Sequence, residues 1–183
     1  MTGSLTGLDG QVLQYLFAYR DITTSLSFIG ITELGSTIFV CGITLCIGIY
    51  FVLRRQIHFA GGIAVAVFGS GAAALLIKEL VQRARPVRAF QAYAETGFSF
   101  PSGHATLAAA FYGFLICLAW RMMPPGFLRS ATVSALALLI TLIAFSRLYL
   151  GVHFLSDVLG GLLLGTAFAY LGAALVRKIE RRG

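Results

Sequence analysis

The sequence predicts an all-α fold: an integral-membrane bundle of five transmembrane helices, preceded by an N-terminal interfacial amphipathic helix. Three observations carry this. Of 183 residues, 58% are of the apolar AVILMFWYC set and 11% are charged, and the mean hydropathy is +0.87, more apolar than a water-soluble domain needs. The apolar residues fall into five uncharged runs of about 16–21 residues, close to the roughly 20 that a helix needs to cross a bilayer. Charged residues mark the ends of these runs. A formal charge of +7 in a soluble chain would suggest nucleic acid, but here the charges are too scattered to form a binding face, so no nucleic-acid partner is expected. The length suits one membrane-embedded domain over 1–183.

The elements follow in order. Residues 1–10 lack a basic region followed by an apolar one, so no signal peptide is read there. Between 8 and 30, Val12, Leu13, Leu16 and Phe17 alternate with Gln11 and Gln14 at helical spacing. Arg20 and Asp21 would sit mid-bilayer if this segment spanned, so a helix lying in the interface costs less. Span one, 34–53, stops at Arg54 and Arg55, and span two, the Gly/Ala-rich 57–77, follows as a hairpin and ends at Lys78 and Glu79. Span three, 105–120, can lengthen because Trp120 suits the interface and Arg121 can snorkel. Pro124, Pro125 and Gly126 turn the chain into span four, 130–146, which is followed by Arg147. Span five, 158–176, is closed by Arg177, Lys178, Arg181 and Arg182. Cys41, Cys46 and Cys117 lie inside apolar runs without metal-ligand spacing and read as packing residues, and Gly161 and Gly165 read as a packing ridge.

With the N-terminus outside, eight basic residues and Glu180 alone fall on the cytoplasmic side, while six basic and six acidic residues fall outside. The whole +7 is then the positive-inside bias of a multi-pass protein. The outer face gathers three clusters: 78–86 (KELVQRARP), 101–104 (PSGH) and 146–157 (SRLYLGVHFLSD). Arg85 and Arg147 offer planar forks for phosphate oxygens, and Lys78 adds a point charge. Pro101 frees Ser102 and Gly103 to present backbone N–H groups at a helix start, where an anion is favoured. His153 and Asp157, four apart on one face at the start of span five, suit a nucleophile held by a carboxylate. His104 can protonate a leaving oxygen and later activate water. The inventory suits a phosphate monoester or diphosphate. Arg20, Arg83 and Arg88 read instead as headgroup anchors, Glu79 as an i,i+4 partner of Arg83, His58 as structural, and Tyr93, Phe100, Trp120 and Tyr149 as interface aromatics, with contact to acyl chains near the mouth as the other reading of 90–100. Asp157 alone could also cap span five.

Lys with Arg-Pro after six residues, then Pro-Ser-Gly-His, then Ser-Arg with His and Asp after five and three more residues, resembles the three-part signature of the type 2 phosphatidic acid phosphatase (PAP2) superfamily. The resemblance covers the chain from Lys78 onward most fully. It implies a metal-independent membrane phosphatase, without cofactor, acting on a lipid phosphate at the non-cytoplasmic surface. It implies His153 as nucleophile, Asp157 as its partner, His104 as acid, and Lys78, Arg85, Ser102, Gly103 and Arg147 as phosphate ligands. Undecaprenyl diphosphate, phosphatidylglycerol phosphate and phosphatidic acid are the implied substrates, the first slightly preferred. A bacterial inner-membrane location with a cytoplasmic C-terminus goes with this. Many members resemble a six-span bundle with a further helix before the interfacial segment, which leaves open whether five spans stand alone or pair as a homodimer. The same signature occurs in soluble vanadium haloperoxidases, a reading the apolar spans oppose. The second reading, a lipid-phosphate binder or transporter without turnover, needs no nucleophile and no acid.

Overall fold

The computed structural model describes residues 7–181; residues 1–6 of the stretch read for a signal peptide, and Arg182 of the basic tail, lie outside them. The protein is all-helical, with no strand among the described residues, and it is a multi-span membrane protein. Among the described residues eight α-helices run in order: α1 Leu8–Ala18, α2 Ile22–Glu33, α3 Thr37–Leu53, α4 Ile57–Ala64, α5 Ser70–Val81, α6 Gly103–Met122, α7 Phe127–Tyr149 and α8 Leu155–Glu180. Between α4 and α5, Val65–Gly69 form a π-helical turn, so the two make one 25-residue span. The spans α3, α4–α5, α6, α7 and α8 match the five expected, and most run several residues beyond their apolar cores.

The N-terminal segment differs from the single interfacial helix expected over 8–30. It breaks at Tyr19–Asp21 into α1 and α2, because both charges find partners at the break. Asp21 caps α2 by accepting from Thr24 N–H at 2.9 Å, and Arg20 donates to the Phe90 carbonyl at 2.6 Å. Ile22–Leu53 is long and apolar enough to cross a bilayer as one 32-residue stretch. The contacts of α2 point elsewhere. Asp21 meets Tyr149 and Thr32 meets Arg147, so both ends of α2 reach the last turn of α7 and the helix crosses that end of the bundle. At eleven residues, α1 is too short to span.

The core lies where α6 packs against α8, with Phe111, Phe114, Val67, Ile63 and Val176 buried around the seam. Gly161, Gly165 and Gly172 on α8 let the backbones touch: a Cβ on Gly165 would overlap the Thr106 carbonyl, and one on Gly172 the Gly62 carbonyl. The ridge read from 161–165 is therefore packing. At the other end from α2, Glu180 pairs with Arg121 and lies 3.6 Å from His58, which gathers the end of α8, α6 and α4 there.

Candidate active site

Three segments meet at the α2 end of the bundle: the 82–102 loop, the first turn of α6, and the 150–154 turn before α8. Backbone bonds lock them together, from Ala92 N–H to Leu150 O (2.9 Å), Ser99 N–H to Arg83 O (2.8 Å) and Ser102 N–H to Asp157 O (3.0 Å). Gly151 makes the turn possible at φ +68°, where a Cβ would also overlap the Phe90 carbonyl. Gln82, in the left-handed region at φ 48°, ends α5 and swings Arg83 away from Glu79, so the expected i,i+4 pair does not form.

His153 sits in the turn, two residues before α8, rather than on the helix face its spacing suggested. Its Nδ1 is 3.6 Å from Asp157 Oδ2, and Ser99 fills the gap: Ser99 Oγ donates to Asp157 Oδ2 at 2.5 Å and lies 3.3 Å from Nδ1. The Phe154 N–H also donates to Oδ2 at 2.8 Å, so Asp157 closes the first turn of α8 as well as facing the imidazole. On the far side of the ring, Arg85 Nη1 lies 3.1 Å from Nε2. An arginine donor there requires an acceptor, which leaves the ring proton on Nδ1 toward Ser99 and turns Nε2 toward the cations. Burial drives the His153 imidazole down to about 4, against the raising influence of Asp157.

The cations surround a carboxylate that sequence reasoning passed over. Glu95 pairs with Arg85 Nη2 at 3.1 Å and with Arg147 Nη2. Burial would raise its carboxyl, but the Arg147 and Arg85 guanidiniums outweigh that and hold it below its usual range. Arg147 is fully buried and also donates from Nη1 to Thr32 Oγ1 (2.9 Å) and Tyr93 Oη (2.5 Å). Lys78 Nζ donates to the Phe98 carbonyl at 2.7 Å. His104, the second residue of α6, lies within electrostatic reach of Arg147, Glu95, His153 and Arg85. All eight residues read from the sequence thus converge.

Their roles in the geometry differ in two details. The Ser102 N–H is taken by Asp157 O, so Ser102 offers its buried, unpartnered Oγ instead, while Gly103 and His104 keep the free N–H groups of a helix start. Arg147 Nε is likewise buried without a partner. Arg83 is no headgroup anchor: it bonds Asp9, Ser156 and Asp157. Tyr93 and Tyr149 are not interface aromatics either, since one bonds Arg147 and the other Asp21. Thr32, Glu95 and Ser99 carry no spacing signal, and only the folded loop brings them in.

The PAP2 superfamily profile matches residues 56–181. The chain belongs to the PAP2 superfamily. It is similar to phosphatidylglycerophosphatase B of Bacillus subtilis (strain 168), at 34% identity over 154 residues, 83% of this chain and 75% of that protein. The putative undecaprenyl-diphosphatase YbjG of Escherichia coli (strain K12) is 43% identical over 67 residues, 37% of this chain and 29% of that protein. Among solved structures, the transmembrane PAP2 type phosphatidylglycerolphosphate phosphatase of Bacillus subtilis superposes with a TM-score of 0.85 at 28% identity, covering 97% of this chain and 89% of its own. Aquifex aeolicus LpxE shares the fold, with a TM-score of 0.71 at 20% identity, covering 94% of this chain and 98% of its own. The protein is a PAP2-type membrane lipid phosphatase. An apolar groove borders this PAP2 site. A groove of about 370 Å³ runs between α3, α5 and α6, past Cys41, Phe68, Leu75 and Leu107, and ends at Lys78 and Gly103. Phe68 and Leu75 are 43% and 66% exposed, so the groove opens on the side of the bundle that faces lipid.

Proposed function

We propose that the protein hydrolyses a lipid phosphate or diphosphate through a phosphohistidine, with the head in the Arg85–Arg147 pocket and the tail in the α3–α5–α6 groove. The observation that carries this is His153, with Nε2 turned to the cation cluster and Nδ1 to Ser99 and Asp157. The phosphate dianion takes the place of the Glu95 carboxylate on Arg85 and Arg147, and Lys78, Ser102 Oγ and the Gly103 N–H supply the remaining donors. These cations stabilise the charge that spreads over the equatorial oxygens in the transition state.

His153 Nε2 attacks phosphorus as its bond to the leaving oxygen breaks, the ester oxygen of a monophosphate or the bridging oxygen of a diphosphate, and His104, protonated in the field of the bound dianion, gives its proton to that oxygen. Asp157, through Ser99, steadies the Nδ1–H imidazole as it gains positive charge. Water then attacks the phosphohistidine with His104 taking its proton, the N–P bond breaks, and inorganic phosphate leaves. The whole described chain acts as one catalytic unit, its site on the non-cytoplasmic face of a bacterial cell membrane, as the basic residues at the opposite end favour.

Its similarity to the Bacillus phosphatidylglycerophosphatase B supports phosphatidylglycerol phosphate as a substrate, and the shorter match to YbjG supports undecaprenyl diphosphate. Phosphate release from these two lipids and phosphatidic acid, by purified protein and by His153→Ala, tests the reading. Release from at least one, abolished in the variant, is expected; an active His153→Ala protein overturns the nucleophile assignment.

A further inference from the structure

Asp9 and Arg83 have no part in the mechanism above, yet Arg83 bonds its carboxylate directly and Asp9 bonds Arg83. Arg83 Nη1 donates to Asp157 Oδ1 and Arg83 Nη2 to Asp9 Oδ2, both at 2.7 Å. The Phe154 ring holds the guanidinium from one face, 4.4 Å from its centroid. Asp9 accepts in turn from the Ser156 N–H at 2.9 Å and from Ser156 Oγ at 2.5 Å, which ties the first turn of α1 to the first turn of α8. The arrangement is carboxylate, guanidinium, carboxylate, then serine and imidazole.

The order of charges decides what Asp9 does. Asp157 shows Oδ2 to Ser99 and His153 and Oδ1 to Arg83, and its side chain is wholly buried, where charges act strongly on one another. Arg83 alone would draw the negative potential of Asp157 away from the imidazole. A second carboxylate on the opposite side of the guanidinium divides that positive charge, and Asp157 keeps its potential for His153. We infer that Asp9, acting through Arg83, is a positioning residue for the His153–Asp157 pair, which makes α1 a working part of the site. This rests on the phosphohistidine reading above.

Charge grows on the imidazole only as the N–P bond forms, and Asp9 and Arg83 make no bond to Lys78, Arg85, Arg147, Ser102 or Gly103. The loss of Asp9 therefore falls on kcat and spares KM. The full chain in mixed micelles is assayed with phosphatidylglycerol phosphate and undecaprenyl diphosphate, with vanadate inhibition as a separate measure of the pocket. Asp9→Asn lowers kcat roughly tenfold, with KM and the vanadate inhibition constant within about twofold. Asp9→Glu, which keeps the charge, recovers most of kcat whatever either change does to the thermal midpoint. The Asp9→Asn, Arg83→Gln double variant is no slower than Arg83→Gln alone, because Asp9 acts through Arg83. Full kcat in Asp9→Asn, a loss carried by KM or vanadate, equal losses in Asp9→Asn and Asp9→Glu, or additive losses in the double variant would each overturn the inference. His153→Ala separates the two levels. If it is inactive while Asp9→Asn is fully active, only this inference fails; if it is active, the nucleophile assignment fails and this inference with it.

Discussion

Glu95 is the residue that most shapes the charge of the site, because it pairs with both guanidiniums to which the proposed mechanism brings the phosphate. Substrate must displace it, so Glu95→Gln should tighten vanadate inhibition by about tenfold, or ~1.4 kcal/mol. It should also lower the thermal midpoint, because Arg147 is buried and loses its counter-charge. Weaker vanadate inhibition in Glu95→Gln would show that Glu95 assists phosphate binding instead. His153 makes a second prediction. Its imidazole falls to about 4 in the folded protein from 6.5, so the unfolded chain takes up the proton first as pH drops. Its contribution to stability is complete above about pH 6.5 and is lost as pH falls toward 4. The midpoint should decline through that window, and less steeply in His153→Ala; equal slopes would refute the shift. The pocket cations and both histidines were legible in the sequence because fixed spacing around span ends announces them. Glu95, Ser99 and Thr32 were not, since each reaches its partner only through tertiary folding, across 52, 58 and 115 residues.

Helix α8 is the packing centre of the bundle, because its glycines bring α6 and α4 into backbone contact. Gly165→Val should cost about 1–3 kcal/mol, read as a lower thermal midpoint in detergent, since its side chain would press on the Thr106 carbonyl. Gly61→Ala, on the same bundle but with nothing within 4 Å of the added Cβ, should be neutral or slightly stabilising. Equal losses in both would mean that close approach is not what Gly165 provides. The five spans could be read because twenty uncharged residues have one outcome in a bilayer. The break at Tyr19–Asp21 could not, because Arg20 is satisfied by the Phe90 and Leu150 carbonyls of distant turns. Nor could the π-helical turn at Val65–Gly69, which no residue pattern in the run marks.

At the scale of the whole molecule, the two ends of the bundle are chemically unlike. One end holds Lys78, Arg85 and Arg147 among carboxylates, and the other holds Arg54, Arg55, Arg121, Arg129 and the basic tail with Glu180. This asymmetry predicts a cytoplasmic C-terminus, and a reporter fused after Gly183 should be active in the cytoplasm; a signal from the far side would invert the bundle. With its tail in the α3–α5–α6 groove as proposed, the substrate enters from the side of the bundle, where Phe68 and Leu75 are exposed. A lipid can therefore dock, lose its phosphate and slide back without leaving the membrane plane. Turnover then follows the mole fraction of substrate in the bilayer, and diluting the lipid with inert phospholipid slows the enzyme even when the bulk concentration is unchanged. On the proposed mechanism the products also part in a fixed order: the membrane-bound one is freed as the phosphohistidine forms, and inorganic phosphate only when water cleaves it.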